Sequence, residues 1–192
     1  APPPNLTVTI DSLSFKRGLT ISAWLYKADS TTSMPVLSDW GPLNRGAFSL
    51  SSGGGPGSGF QLRWQDGATS EVTGYTVPDE RWVHYLASYD GQLISVYLDG
   101  VLVGSQIAQG KQIADCAGKM AIGYDSVAGS PARGRLDDVV VWDRSLTREE
   151  IARVRAEGEW ADAVWAWSFE EDASEDLEAD GDPQILFDDI RE

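Results

Sequence analysis

Two Asp-Gly pairs, Asp90-Gly91 and Asp99-Gly100, divide the stretch from Glu80 to Ser105 (ERWVHYLASYDGQLISVYLDGVLVGS) into three runs rich in aromatic and β-branched residues. A two-residue turn that matches the twist of its flanking strands needs positive φ, which glycine adopts freely. The stretch therefore predicts a three-stranded antiparallel meander: Trp82 to Tyr89, Leu93 to Leu98 and Val101 to Val103. Alternation sets Trp82, His84, Leu86 and Ser88 on one face of the first strand, and Val83, Tyr85, Ala87 and Tyr89 on the other. Neither set is polar throughout. The strand is expected mid-sheet, with one face on a core and the other lining a shallow surface.

The remaining chain fits the same pattern. Leu6 to Ile10 alternates and reads as an edge strand. Leu19 to Lys27 (LTISAWLYK) places Leu19, Ile21, Ala23 and Leu25 on one face and Thr20, Ser22, Trp24 and Tyr26 on the other. Further strands are expected at Pro35 to Trp40, Ala47 to Leu50, Lys119 to Ile122, Gly134 to Trp142 and Ala163 to Phe169. A hairpin from Phe60 to Trp64 and Ser70 to Val77 turns at Asp66-Gly67. Ser51 to Gly59 (SSGGGPGSG) reads as a loop tip; no Lys-Ser/Thr follows it and no helix begins there, so it is not a phosphate loop. Ser105 to Gly118 reads as a crossover and Tyr124 to Arg133 as a loop. One short helix is expected from Thr147 to Ala156, because Thr147 and Glu150 have capping-box spacing, Glu149 suits the positive end, and Gly158 stops the helix. About a dozen short strands and one late helix make an all-β protein, an antiparallel sandwich of two sheets. The division expected is an extended linker at 1–5, a sandwich at 6–169 closed by a strand from 163, and an acidic tail at 170–192.

Charge limits the partners. The 192 residues carry 30 acidic and 15 basic side chains, a formal charge of −15. Such a field repels nucleic acid and anionic membrane surfaces. No run of 18 apolar residues exists, so no membrane insertion is expected. The lone Cys116 has no internal partner for a disulfide and reads as a small half-buried apolar residue. The chain starts Ala-Pro-Pro-Pro, like a trimmed end following a linker, and a secreted or cell-surface location is expected. Asn5-Leu6-Thr7 fits the glycosylation sequon, a pattern short enough to arise by chance.

Gly134-Arg-Leu-Asp-Asp-Val-Val-Val-Trp-Asp-Arg-Ser-Leu-Thr-Arg-Glu-Glu-Ile151 completes a wider signature. Together with Trp82-x-His84, Tyr89-Asp-Gly91, Tyr97-Leu-Asp-Gly100 and Ile122-Gly123, it resembles the LamG-like jellyroll of the concanavalin A-like superfamily, to which the pentraxins are related. The resemblance runs in order from about Leu19 to Val154. It implies a two-sheet jellyroll, and it does not by itself fix a function, since the fold hosts lectins, adhesion modules, enzymes and spacers. One segment departs from the pattern. The strand with which LamG-like modules usually open is similar to Val164-Trp-Ala-Trp-Ser-Phe-Glu-Glu171, which here follows the helix. Either it occupies the place of the first strand or it opens a further module; the former would leave less apolar surface bare.

Three kinds of site follow. Carbohydrate could stack on aromatic rings, with Trp40, Trp64, Tyr124, Trp24 and Tyr26 as candidates; Trp40 and Tyr124, in loops, are the hardest to explain by packing. The resemblance also implies a structural calcium in some members, held by loop carboxylates and amides; Asp39, Asn44, Asp125 and Asp138 are the corresponding candidates here. Asp137 and Asp138, adjacent on a strand, would face opposite sides. In the tail, Asp176-x-Glu178-x-Asp180-Gly181 imitates a calcium loop but has Phe187 at its twelfth position, where a carboxylate is needed. Catalysis is not expected: the laminarinase-type Glu-x-Asp-x-x-Glu strand is absent, and His84 has no nucleophile near it in sequence. The expected function is noncatalytic recognition or adhesion through a glycan or glycoprotein. The alternatives are a homo-oligomeric or larger structural assembly made through the terminal segments, and a polysaccharide-active enzyme.

Overall fold

The computed structural model describes residues 6–9, 15, 18–28, 33–39, 46–52, 59–116, 119–125, 130–131 and 134–168. In chain order the strands are β1 (Leu6–Thr9), β2 (Leu19–Lys27), β3 (Pro35–Ser38), β4 (Phe48–Ser51), β5 (Phe60–Arg63), β6 (Thr69–Val72) and β7 (Trp82–Tyr89). There follow β8 (Leu93–Leu98), β9 (Val101–Ile107), β10 (Lys119–Ile122), β11 (Tyr124–Asp125), β12 (Ser130–Pro131) and β13 (Gly134–Trp142). Helix α1 (Arg148–Glu157) precedes the last strand, β14 (Trp165–Trp167). Two antiparallel six-stranded sheets form, in the orders β1-β10-β3-β4-β5-β6 and β14-β13-β2-β7-β8-β9, with β11 and β12 as a separate ribbon. This is the jellyroll sandwich expected from the sequence.

The meander behaves as its turns dictate. Asp99 and Gly100 both have positive φ (51° and 79°), the pair of values a tight hairpin turn requires. At the other turn the Asp90 carboxylate accepts from the N–H groups of Gln92 and Leu93. β7 lies between β2 and β8, and its Val83, Tyr85, Ala87 and Tyr89 face the core between the sheets. Leu19, Ile21, Ala23 and Leu25 of β2 join them, met from the opposing sheet by Val36, Phe48, Leu50, Phe60 and Leu62.

Four local expectations need correction. β9 continues to Ile107 where a crossover was expected after Val103. Gly104 there marks a close approach, since a Cβ at that position would stand 2.7 Å from Val72 Cγ1. β6 stops at Val72, and Gly74, at φ 82°, ends the extended run expected to reach Val77. The β11–β12 ribbon occupies the stretch read as a plain loop. Finally, Asp137 and Asp138 do not alternate regularly: Asp138 has φ 47° and the pairing of β13 with β2 shifts register between Asp137 and Val140. The bulge breaks the simple opposite-face rule at that pair.

α1 is capped as its sequence demands. The Thr147 hydroxyl accepts from the Glu150 N–H, the Glu150 carboxylate accepts from the Thr147 N–H, and Gly158 closes the helix in the left-handed conformation. Arg144 bonds the Glu150 carboxylate at 2.7 Å. That bond and the Thr147 N–H hold the Glu150 carboxyl down at about 2.

Candidate functional site

The outer face of the second sheet is built from the residues left over once alternation has filled the core. Register aligns Thr20 with Ser88, Ser22 with Leu86, Trp24 with His84 and Tyr26 with Trp82, so four pairs run along the outside of β2 and β7. β13 adds Asp137 beside Trp24 and Arg135 beside Tyr26. α1 covers one half of this face, where Leu86, Val140, Trp142, Leu146, Ile151 and Val154 form a second small core. Thr20 is fixed there by Ser88 Oγ at 3.0 Å and by donating to the Arg144 carbonyl at 2.8 Å.

The other half is left open. Trp24 meets the His84 ring edge-on, with centroids 5.3 Å apart, and Tyr26 meets Trp82 in the same way at 5.8 Å. Arg135 lies over the Tyr26 ring with its guanidinium carbon 5.7 Å from the centroid. Trp82 is 40% exposed, an unusual amount for an indole in a sheet. Trp24 and Tyr26 are half-buried, and Arg135 is exposed. At the rim Arg81 bonds Asp99 at 2.9 Å, and Asp99 also accepts from the His84 N–H. Burial opposes the Asp99 charge, but the His84 N–H and Arg81 outweigh it and hold the carboxyl below its ordinary range. The result is a strip of aromatic rings bordered by guanidinium and carboxylate groups.

His84 is the floor of this strip. It is 1% exposed, and its Nε2 is 2.8 Å from Ser22 Oγ. Burial, helped by the cation of Arg155 and opposed by Asp99, brings its pKa down to about 4. The imidazole is therefore neutral at physiological pH.

The aromatic residues singled out in the sequence divide accordingly. Trp24 and Tyr26 belong to the open strip. Trp64 does not offer a face: it is 1% exposed, packed at a tilt against Tyr89 with centroids 5.2 Å apart, and its indole N–H is donated to Ser70. Above it Lys111 sits 5.6 Å from the ring centroid and pairs with Asp66, closing the floor of an open cleft of about 270 Å³. Burial of the largest rings is the usual outcome in a sandwich core, and Trp64 follows it. Trp40 and the side chain of Tyr124 lie outside the described residues.

The metal candidates are not drawn together among the described residues. Asp39 is buried at the end of β3, where its Oδ2 accepts from the Ala47 N–H at 2.8 Å and its own N–H donates to the Phe48 carbonyl. The Cys116 thiol also bonds this carboxylate. Burial and the Asp39 charge push that thiol up to about 12. Asp138 belongs to the other sheet, at the β13 bulge. Asn44 and the Asp125 side chain lie outside the described residues. No three His, Cys, Asp or Glu side chains among the described residues converge where a metal could be held.

Trp82 and Arg135 were not among the ligand-binding candidates read from the sequence. The signal was present in part, since Trp82 and His84 share one face of their strand and Trp24 and Tyr26 share one face of theirs. Only the register of β2 on β7 makes the two faces one surface.

Comparison with known proteins agrees with the architecture. The chain is 28% identical over 149 residues to the human (Homo sapiens) adhesion G-protein coupled receptor D1, a match that covers 70% of this chain and 16% of the receptor. It thus spans well under a fifth of that relative. Among solved structures, the native heptameric SAP-like pentraxin from Limulus polyphemus superposes with a TM-score of 0.60 at 20% identity, covering 88% of each chain. Domain 4 of AbnA, a GH43 extracellular arabinanase from Geobacillus stearothermophilus solved with arabinotriose, gives a TM-score of 0.54 at 21% identity, covering 74% of this chain and 67% of that one. At such identities these likenesses speak for the fold alone. The description of Laminin_G_3, in the concanavalin A-like lectin/glucanases superfamily, matches residues 4–152, well over half of the sequence, and the chain belongs to that family.

Proposed function

We propose that this chain is a noncatalytic extracellular recognition module that holds a carbohydrate on the open half of its outer sheet face. The observation that carries the reading is the Trp24, Tyr26 and Trp82 strip, with Trp82 40% exposed where Trp64 and Trp142 are each 1% exposed. Sugar rings present C–H faces that pack on aromatic faces, while hydroxyls need a few well-placed polar partners. Arg135, Arg81, Asp99 and Asp137 border the strip on the register given above. The arabinanase domain solved with arabinotriose and the adhesion receptor are consistent with glycan or protein ligands for this family of folds. The adhesion relative also supports the extracellular placement, and no helix among the described residues is long and apolar enough to cross a membrane.

A noncatalytic role is favoured by the state of His84. A general base must reach the proton it removes, and this imidazole and the Ser22 hydroxyl it bonds are both buried, 1% and 2% exposed. A calcium requirement is a separate part of the reading. With Asp39 engaged by Ala47 and Cys116, it rests on Asn44 and Asp125, and melting with calcium against chelator tests it: bound cation raises the transition temperature.

The experiment is a glycan array followed by titration calorimetry on the best ligand, using wild type, Trp82→Ala and Tyr26→Ala. Each substitution should weaken binding by tenfold or more, about 1.4 kcal/mol, with the fold intact. Full affinity in both variants would remove the site, and cleavage of any polysaccharide by the purified protein would overturn the noncatalytic reading.

A further inference from the structure

His84 leaves one nitrogen unused. Its Nε2 lies 2.8 Å from Ser22 Oγ, while Nδ1 is buried and has no hydrogen-bond partner among the described residues. Which nitrogen carries the proton follows from counting. If Nε2–H donates to Ser22, the serine proton and the Nδ1 lone pair both go unpaired, because the buried Ser22 Oγ has no other partner among the described residues. If instead the Ser22 hydroxyl donates to Nε2, a single group is left over, the Nδ1–H donor. Each buried polar group without a partner is costly, so the second arrangement is favoured. The strip therefore has an unused donor in its floor.

The charged groups around it are better supplied with spare donors than with spare acceptors. The Asp99 carboxylate already accepts from the His84 N–H and from Arg81, and Asp137 accepts from the Asp138 N–H. Arg155, on the last turn of α1, is exposed. Its Cδ would stand 3.9 Å from a Cβ placed at Gly100, which sets it at the β8–β9 turn next to Asp99. No carboxylate among the described residues pairs with Arg155 or with Arg135. Burial, and after it the nearby Arg155 cation, keep the imidazole uncharged.

We propose that the strip reads the acetamido group of an N-acetylated sugar, its carbonyl oxygen accepting from His84 Nδ1–H and Arg155 and its methyl group packing on Trp24. The inference rests on the carbohydrate reading of the strip and narrows it. A hydroxyl in the same place could accept, but its own proton would then need an acceptor that this corner is short of. An amide carbonyl accepts twice and carries no proton. The planar trans amide sets its N–H on the opposite side, in water. A carboxylate would also take the donors, but the chain's charge of −15 opposes an anion, and an acetamido group is neutral. Its methyl group suits Trp24, whose ring meets the imidazole edge-on at 5.3 Å. Arg155 has to swing for the carbonyl to reach Nδ1, a rotamer change that exposed side chains make readily. His84 donates through Nδ1 and keeps Nε2 on Ser22, so it holds the ligand and removes no proton from it.

The chain has one histidine, so isotope labelling of histidine nitrogen gives a single imidazole whose tautomer NMR reads directly. The ligand-free protein should carry the proton on Nδ1, and oligomers of N-acetylglucosamine or N-acetylgalactosamine should shift that nitrogen. Calorimetry then compares each oligomer with its glucose or galactose counterpart, and the acetylated member should bind about tenfold or more tightly. In His84→Phe that advantage should fall to about twofold or less. Arg155→Ala, on an exposed helix turn, should reduce it by about threefold; should His84→Phe fail to fold, this variant and the NMR readout decide. Equal binding of both members of each pair, with Trp82→Ala weakening both, overturns this inference and leaves the strip as the site. No binding of either member, or no effect of Trp82→Ala, removes the strip and this inference with it. A proton on Nε2, an unmoved Nδ1 signal, or tighter binding of galacturonic acid oligomers also overturns it.

Discussion

The two halves of the outer face of the second sheet begin from similar sequence and end differently. Both are laid down by alternate residues of β2, β7 and β13, and both are rich in aromatic or aliphatic side chains. One half is sealed by α1, so Trp142 is 1% exposed and donates its indole N–H to the Ala161 carbonyl. On the other half no helix among the described residues lies over Trp82, and Trp82 stays 40% exposed. Where a second layer arrives, an apolar residue on a sheet works for stability; where none does, the same chemistry is free for a ligand. Hydrophobicity alone does not distinguish the two. The extent of α1 does.

Substitution should separate the halves most sharply at their tryptophans. Trp142→Ala empties a sealed site and should cost about 3–5 kcal/mol of unfolding free energy, read by urea denaturation, whereas Trp82→Ala should cost about 1 kcal/mol or less while weakening ligand binding. Equal losses would erase the distinction. The next effect lies at the boundary, where His84 has a folded pKa of about 4 against an ordinary 6.5. Above pH 6.5 both folded and unfolded chains hold it neutral. As pH falls from 6.5 towards 4 the unfolded state takes up a proton that the folded state refuses, so stability should drop by about 3 kcal/mol. His84→Gln should flatten that window and leave the separate loss from Glu150, which runs from its ordinary 4.5 down towards 2.

A smaller effect tests the frame of the open half. At Gly134 a Cβ would stand 2.2 Å from the Tyr26 carbonyl oxygen and 2.7 Å from Met34 Sδ, so Gly134→Ala should destabilise by about 1–3 kcal/mol and also weaken the ligand by moving Tyr26. The mildest change acts only on the covered half. Thr147→Ala removes the α1 cap and should cost about 1 kcal/mol, with affinity at the aromatic strip unchanged. A calorimetric titration that shows otherwise would mean the halves are coupled.

Much of this arrangement was legible before any coordinates. The Asp-Gly turns, the inward alternation of β2 and β7, and the capping box at Thr147 are local signals, and each depends on residues a few positions apart. What was not legible depends on distant partners. Trp64 and Trp24 look alike in sequence; one is buried because Tyr89 and Lys111 meet it from far along the chain. Asp39 read as a candidate metal ligand because the family resemblance places ligands in its loop, but its carboxylate is engaged by the Ala47 N–H and the Cys116 thiol. β9 was cut short because Gly104-Ser-Gln looks like a turn, and only the neighbouring Val72 shows why a glycine stands within a strand.

The bond between Asp39 and Cys116 has a practical consequence. At neutral pH the only sulfhydryl of the chain is held almost entirely in its unreactive protonated form. Reagents that seek a thiolate will therefore react slowly with the half-buried native thiol and faster when β3 and the segment carrying Cys116 part. The rate of alkylation then reports how often that contact opens, with no cysteine introduced by mutation.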